Sequence, residues 1–253
     1  LRRAIAGDLR DRKGMAVAPE QIVVGAGAEY LYLLLAQLLE GTAFAVEDPG
    51  YPKIRKVYGR CGAVCRLVPL DGQGVAPEAL AASGAGVLHL SPSHHYPTGL
   101  VTPIGRRQAL LRWAEDRDGV IIEDDYDSEL RFTGRPIPTL QSIDDGGRVV
   151  YMNTFSQTIS PSMRLGFMVL PPRLLERYRR ELGFYACTVP ALDQHVLARF
   201  LAGGHYEQHL SRMRKEYRAR RDRVLEAFRT SPFAGRIAIS EQGAGLHFLL
   251  RLD

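Results

Sequence analysis

The chain has 253 residues, 45% of them apolar and 24% charged, with a formal net charge of +5. That length supports one large domain, or one domain and part of another, with a sizeable core. The mild charge points to a solvated surface rather than a nucleic-acid partner. The three cysteines, Cys61, Cys65 and Cys187, exclude a disulfide framework and lack the second ligand pair of a zinc site. They read as reduced core thiols of a cytoplasmic protein with neither signal peptide nor membrane span.

In chain order, residues 1–12 read as a helix, 21–24 as a short strand, and 28–39 as an apolar helix stopped by Gly41. Residues 43–46 read as a buried strand ending in the turn Asp48-Pro-Gly-Tyr-Pro52. Further strands are expected at 63–68 and 87–90, and Thr102-Pro103 supplies the N-cap and first position of a helix running to about 117. Strands at 120–123, 149–152 and 165–170 complete a set of short, nearly continuous apolar segments. Strands buried on both faces and alternating with helices imply an α/β domain with a mostly parallel sheet. Past Pro171-Pro172, helices are expected at 173–182, 191–201 and 205–228, followed by strands at 236–240 and 245–252. In the long helix Leu210, Met213, Tyr217, Val224 and Phe228 fall at three-, four- and seven-residue spacings, which gives one buried stripe. Its arginines mix with Glu207, Glu216 and Asp222 as a salt-bridged solvent face. A large domain is expected over 1–185, with 1–15 at the edge of a smaller one. Residues 186–253 hold the long helix and part of that second domain.

Several motifs carry candidate chemistry. Gly25-Ala-Gly-Ala-Glu29 follows a strand and opens a helix, where free N–H groups and the helix dipole favour an anion. A dinucleotide-binding reading stays open beside it. Tyr30 stands where the third glycine belongs, yet Glu47 and Asp48 lie at the distance of a ribose contact. Thr154, Ser156 and Arg164 can converge on a second side of a phosphate, since a guanidinium donates two hydrogen bonds to one phosphate. Turn hydroxyls and a surface ion pair are the plainer alternative. Asp124, with Tyr126 nearby, ends a buried strand, where ligands of α/β sheets bind. Glu123, Asp125 and Asp127 crowd around it and invite a paired-carboxylate hydrolase. Alternation along a strand sends neighbours to opposite faces and disfavours that reading, and a metal on the same acids lacks a histidine at ligand spacing. Tyr51, on a rigid turn, can stack on a planar ring or simply pack. His94, His95 and Tyr96 can form the polar wall of a pocket. No serine sits in a nucleophile elbow.

The strand–turn–strand at 148–167, with Ile121-Ile-Glu-Asp-Asp-Tyr-Asp127 upstream, resembles the core of a fold-type I pyridoxal 5'-phosphate (PLP) protein. More narrowly, the chain resembles the aminotransferase-like domain of the MocR/GabR family, a branch of the class I/II aminotransferases. The resemblance rests on Pro19-Glu-Gln-Ile-Val23, Gly25–Glu29, Glu47-Asp-Pro-Gly-Tyr51, Ser91-Pro-Ser-His94 with Tyr96-Pro-Thr-Gly99, Ile122-Glu-Asp-Asp-Tyr-Asp-Ser-Glu129, Gly134-Arg-Pro-Ile-Pro138, Thr154-Phe-Ser156 and Pro161 to Gly166.

That resemblance implies a three-layer α/β/α fold and a role for each matching residue. The N–H groups of Ala28 and Glu29, with Thr154, Ser156 and Arg164, would hold the cofactor phosphate. Tyr51 would stack on the pyridine ring, Asp124 would pair with its nitrogen, Tyr126 would sit near its phenolic oxygen, and Tyr96 would line the site. Position 157 would carry the Schiff-base lysine that also shuttles the substrate proton. Here it is Gln157, whose amide nitrogen is not nucleophilic. PLP is therefore expected to bind without a covalent link, and turnover to be nearly absent. Only Lys13, Lys53, Lys56 and Lys215 remain as lysines, none of them in a polar turn after a strand. The implied function is the effector-sensing part of a transcriptional regulator, a homodimer that binds an amino acid or amine. The alternative is an aminotransferase that has lost its lysine. The chain reads as a fragment of a longer protein, without the family's winged-helix DNA-binding domain and without the C-terminal end.

Overall fold

The computed structural model describes residues 1–132, 137–240 and 243–252. Eight strands form one sheet: β1 (Ile22–Gly25), β2 (Phe44–Asp48), β3 (Cys65–Asp71), β4 (Gly74–Val75), β5 (Val87–Leu90), β6 (Val120–Asp124), β7 (Val149–Thr154) and β8 (Gly166–Val169). Their spatial order is β1-β8-β7-β6-β5-β2-β3-β4. Strands β3, β2, β5, β6 and β7 run parallel; β8 is antiparallel to both β7 and β1, and β4 to β3. Every residue of β5, β6 and β7 is buried, as Val/Ile-rich strands covered on both faces must be. This is the mostly parallel α/β sheet that the strand pattern implies.

The helices are α1 (Arg2–Lys13), α2 (Ala28–Leu38), α3 (Pro52–Arg60), α4 (Pro77–Ser83), α5 (Ile104–Asp116), α6 (Pro172–Glu181), α7 (Ala191–Ala202) and α8 (His205–Arg229). Side-chain alternation along the strands divides the core. Ile122, Val150 and Met152 pack with Leu31 and Leu35 of α2, Tyr58 of α3 and Leu174 of α6. On the opposite face, Tyr151 and Phe167 pack with Ile5 and Leu9 of α1, Leu197 of α7 and Leu210 of α8. Ile121 and Val149 pack with Leu110 and Trp113 of α5. A separate pair, β9 (Ile237–Ser240) and β10 (Leu249–Leu252), is antiparallel. No helix among the described residues is long and apolar enough to cross a membrane.

Several local expectations are corrected. Helices α3 and α4 are additional; each begins with a proline at its first position, a start signal that also reads as a turn. The N-cap of α5 is Pro103 rather than Thr102, and the Thr102 carbonyl instead accepts from Arg107 Nε at 3.0 Å. On α8, Tyr206, Leu210 and Leu225 are buried, while Val224 is 44% exposed. Cys61 and Cys187 are exposed rather than core thiols. The solvent face of α8 is salt-bridged as expected, by Arg214–Glu207, Arg220–Glu216 and Arg221–Asp222. Residues 134–136 of the Gly134–Pro138 motif lie outside the described residues.

Candidate cofactor site

Three strand ends meet at one edge of the sheet, because Gly166 at the start of β8 pairs with Gly25 at the end of β1 and with Thr154 at the end of β7. From β1 the chain passes through Gly27, at φ 87°, into α2. The φ of 87° favours glycine at this position, and Arg164 Nη2 lies close enough that a Cβ there would stand 2.6 Å from it. Ala28 and Glu29 are the first residues of α2, whose leading N–H groups have no partner within the helix. Arg164 Nη2 donates to Glu29 Oε2 at 2.7 Å, and Lys53 Nζ donates to Glu29 Oε1 at 2.9 Å. The Lys53 hydrogen bond, helped by Arg164, holds the Glu29 carboxyl down at about 2. Thr154 is buried on β7; Ser156 is half-buried in the following turn, and Gln157 is exposed there. That turn is pinned from α8, where Tyr206 donates its hydroxyl to Thr158 Oγ1 at 2.9 Å and His209 Nε2 lies 2.7 Å from the Thr158 carbonyl.

Asp124, the last residue of β6, is 5% exposed. Its Oδ2 accepts from the Tyr32 hydroxyl at 2.5 Å and lies 3.4 Å from His89 Nε2. His89 Nδ1 is 2.7 Å from the Tyr58 hydroxyl. The arrangement that avoids a lone pair facing the carboxylate has Tyr58 donating to Nδ1, which leaves the His89 proton on Nε2, toward Asp124. Burial, reinforced by Asp124, pushes the Tyr32 phenol far above its ordinary range, so it remains a donor. Asp124 Oδ1 is buried and has no hydrogen-bond partner. A buried acceptor left unpaired is costly, and a protonated ring nitrogen would satisfy it.

The neighbouring acids each have other partners. Glu123 faces the opposite side of the sheet and accepts from the N–H groups of Leu140 and Gln141 at 2.9 and 3.0 Å. Asp125 receives Lys13 Nζ at 2.6 Å and the Tyr151 hydroxyl at 2.7 Å. Asp127 lies 2.8 Å from His94 Nδ1. Alternation thus turns Glu123 and Asp125 away from Asp124.

Tyr51 and Tyr96, both partly exposed, meet edge to face with ring centres 5.7 Å apart. Tyr96 also meets His247, whose ring lies 4.2 Å from that of His94. The His247 segment is held by Phe132 N–H donating to the Gly243 carbonyl and Gly245 N–H donating to the Leu130 carbonyl, each at 2.9 Å. The Tyr126 hydroxyl lies 3.5 Å from His94 Nδ1, and burial raises its pKa. Among the described residues no group of three or more His, Cys, Asp or Glu is arranged to hold a metal.

Sequence reasoning missed Tyr32, Tyr58, His89, Lys53 and His247. His89 carried a signal as the one polar residue of Val87-Leu-His-Leu90, and Tyr32 lies one turn beyond Ala28. The dinucleotide alternative is overturned. Strand β1 is an antiparallel edge strand rather than part of a parallel βαβ unit. Glu47 points inward to accept from Ser91 N–H at 3.0 Å, and burial pushes its carboxyl up to about 8.

The free N–H groups at the start of α2 beside Arg164 suit a phosphate, the unpaired Asp124 oxygen suits a protonated ring nitrogen, and PLP fits that donor set. The fold is that of the fold-type I PLP aminotransferases. The chain belongs to the aminotransferase class I and II family, whose model matches residues 1–253. It is 39% identical over 257 residues to the HTH-type pyridoxine biosynthesis transcriptional regulator PdxR of Corynebacterium glutamicum, covering 100% of this chain and 55% of that protein. It is 36% identical over 253 residues to the probable rhizopine catabolism regulatory protein MocR of Rhizobium meliloti, covering 99% and 51%. Among solved structures it resembles Pyrococcus horikoshii kynurenine aminotransferase, crystallised with PMP, at 27% identity and a TM-score of 0.83, covering 96% of this chain and 63% of that one. The chain spans about half the length of the two regulators.

Proposed function

We propose that this chain is the PLP-binding, effector-sensing domain of a MocR/GabR-type transcriptional regulator, and that it holds the cofactor without a covalent bond. The observation that carries the reading is Gln157, exposed in the turn where the family places its lysine, together with the free helix start at Ala28 and Glu29 and the unpaired Asp124 oxygen. The regulator names of the relatives support it. Ala28 and Glu29 N–H groups, Thr154, Ser156 and Arg164 would hold the phosphate. Tyr51 would cover the ring, Asp124 would hold its nitrogen proton, and Tyr126 and Tyr96 would line the phenolic side and the mouth. Bound PLP supplies an electron-withdrawing ring. Gln157 can neither bond to it nor move a proton from a substrate carbon. No other lysine is placed to take over. Lys13 is ion-paired on the opposite face of the sheet, Lys53 is tied to Glu29, and Lys56 and Lys215 are exposed on α3 and α8. The aminotransferase alternative therefore has less support.

In this reading residues 1–185 form the cofactor-binding part and 186–253 lead into a second domain. The protein acts as a homodimer on an amino acid or amine in the cytoplasm, and DNA contact belongs to a winged-helix segment of the longer protein. Borohydride reduction with saturating PLP tests the non-covalent claim. The chain with Gln157 should carry no phosphopyridoxyl group at residue 157, whereas Gln157→Lys should be labelled there. An unlabelled Gln157→Lys would mean that the cleft is not a PLP site.

A further inference from the structure

We infer that Glu29 competes with the cofactor phosphate for the cations of the cup, and that Lys53 is the second of those cations. This rests on reading the cleft as a PLP site and adds what sets its affinity. Glu29 occupies the first turn of α2, where the N–H groups of a phosphate cup point. Its two oxygens are already taken, Oε2 by Arg164 at 2.7 Å and Oε1 by Lys53 at 2.9 Å. Arg164 lies against Gly27 at the start of α2. Lys53 lies 5.7 Å from the centre of the Tyr51 ring, the ring proposed to cover the cofactor, and its hydrogen bond to Glu29 ties it to the start of α2. Both cations are partly exposed and free to turn toward a different anion.

A phosphate dianion on the N–H groups of Ala28 and Glu29 would meet the same guanidinium fork that Glu29 holds. Two anions cannot share that fork at full strength, and their like charges repel. The carboxyl is held near 2, so it stays ionised throughout the ordinary pH range and does not withdraw by protonation. Phosphate binding must therefore displace the Glu29 side chain or tolerate its charge, and either route weakens affinity. With Gln157 removing the covalent link, occupancy would follow the free cofactor concentration, as a sensor requires.

The test is titration of the full chain with pyridoxamine 5'-phosphate, and with pyridoxamine as the phosphate-free control. Glu29→Gln should tighten pyridoxamine 5'-phosphate about tenfold and leave pyridoxamine unchanged, the scale of removing one like charge a few ångströms away in a half-exposed site. Lys53→Gln should weaken only the phosphorylated ligand. The pair is exposed, so both variants should melt near the parent temperature. Tight binding to the parent chain that Glu29→Gln leaves unchanged or weakens overturns the competition and leaves the PLP reading intact. If neither the parent chain nor Glu29→Gln prefers the phosphorylated ligand, the competition and the PLP reading fall together.

Discussion

Asp124 and Asp125 are adjacent in sequence and sit in opposite electrostatic surroundings. Asp125 turns toward α1, where Lys13 Nζ reaches it at 2.6 Å and also lies 3.3 Å from Glu129. Arg12 ties Glu129 to Asp8, Asn153 Nδ2 donates to Glu129 at 3.0 Å, and Ser128 donates to Asp125 at 2.8 Å. Asp124 turns toward α2 and meets Tyr32 and His89, with one oxygen unpaired. Lys13 pairs with Oδ2 of the first acid and fastens α1 to the sheet, although Asp125 Oδ1, like Asp124 Oδ1, has no hydrogen-bond partner. The second is buried without a lysine or arginine partner, a state that costs stability unless a ligand completes it. One residue step thus separates an acid with a lysine partner from one without, the acid proposed to hold the ring-nitrogen proton.

The largest effect should come from breaking the cation-paired side. Burial opposes the charge on Lys13, but Asp125 and Glu129 outweigh it and its pKa stays raised. Lys13→Met leaves two buried carboxylates without their main cation, and chemical denaturation should show a loss of about 3–5 kcal/mol. The deficit should shrink as pH falls, because a protonated Asp125 no longer needs a partner. A loss below about 1 kcal/mol would show that the network contributes little to the attachment of α1.

Asp124→Asn should behave in the opposite way. The amide oxygen can still accept from Tyr32, so stability should change by about 1 kcal/mol or less. Binding should suffer more. Removing a charge-assisted hydrogen bond to the ring nitrogen should weaken pyridoxamine 5'-phosphate and pyridoxamine alike, about tenfold or more. Equal loss for both ligands places the defect at the ring, whereas Lys53→Gln should affect the phosphorylated ligand alone.

The contrast also explains what the sequence made legible. Short apolar runs gave away β5 through β8, and the acid-Asp-Asp-Tyr motif with the glycine turn singled out Asp124, Tyr126 and the start of α2 as candidates. Tyr32 and His89 escaped because their role depends on convergence across 92 and 35 residues, which no local pattern records. Lys53 was weighed only as a Schiff-base candidate, and its partner Glu29 is 24 residues away. The register of α8 was misread for a related reason. Its first half docks on the second core through Tyr206 and Leu210. Farther along, Arg218 donates to the Phe132 carbonyl at 2.7 Å and Arg221 lies over the Phe132 ring, so the stripe does not run on to Val224.

A third, pH-dependent effect sharpens the binding side. Burial, with the charge of Asp124 adding to it, raises Glu47 to about 8; its other neighbours are Ser91 N–H and His95. Glu123, raised by burial to about 7, acts in the same direction. An acid with a raised folded-state pKa favours the folded state in its protonated form. The stabilising contribution is therefore full below about pH 4.5 and is lost as pH rises through 8. Glu47→Gln keeps an acceptor for Ser91, and should raise Tm by a few degrees near pH 9 with the gain vanishing near pH 5. A pH-independent difference would show that Glu47 is not the titrating group.

The smallest effect should come from the far end of the Asp124 relay. Tyr58 donates to His89 Nδ1 and thereby keeps the His89 proton on the nitrogen facing Asp124. Tyr58→Phe keeps the ring that packs 4.4 Å from Phe44 and removes only the hydroxyl. The buried Nδ1 then loses its donor, at a cost of about 1 kcal/mol. His89 also becomes free to take the other tautomer, which turns a lone pair toward Asp124 and weakens its hold on a ring-nitrogen proton. Pyridoxamine 5'-phosphate should therefore bind about two- to threefold more weakly, within the range of half a kcal/mol, and the His89 ring nitrogens should exchange their protonated and unprotonated 15N shifts. A stability loss with unchanged 15N shifts and affinity would make Tyr58 a packing residue alone and would end the relay at His89.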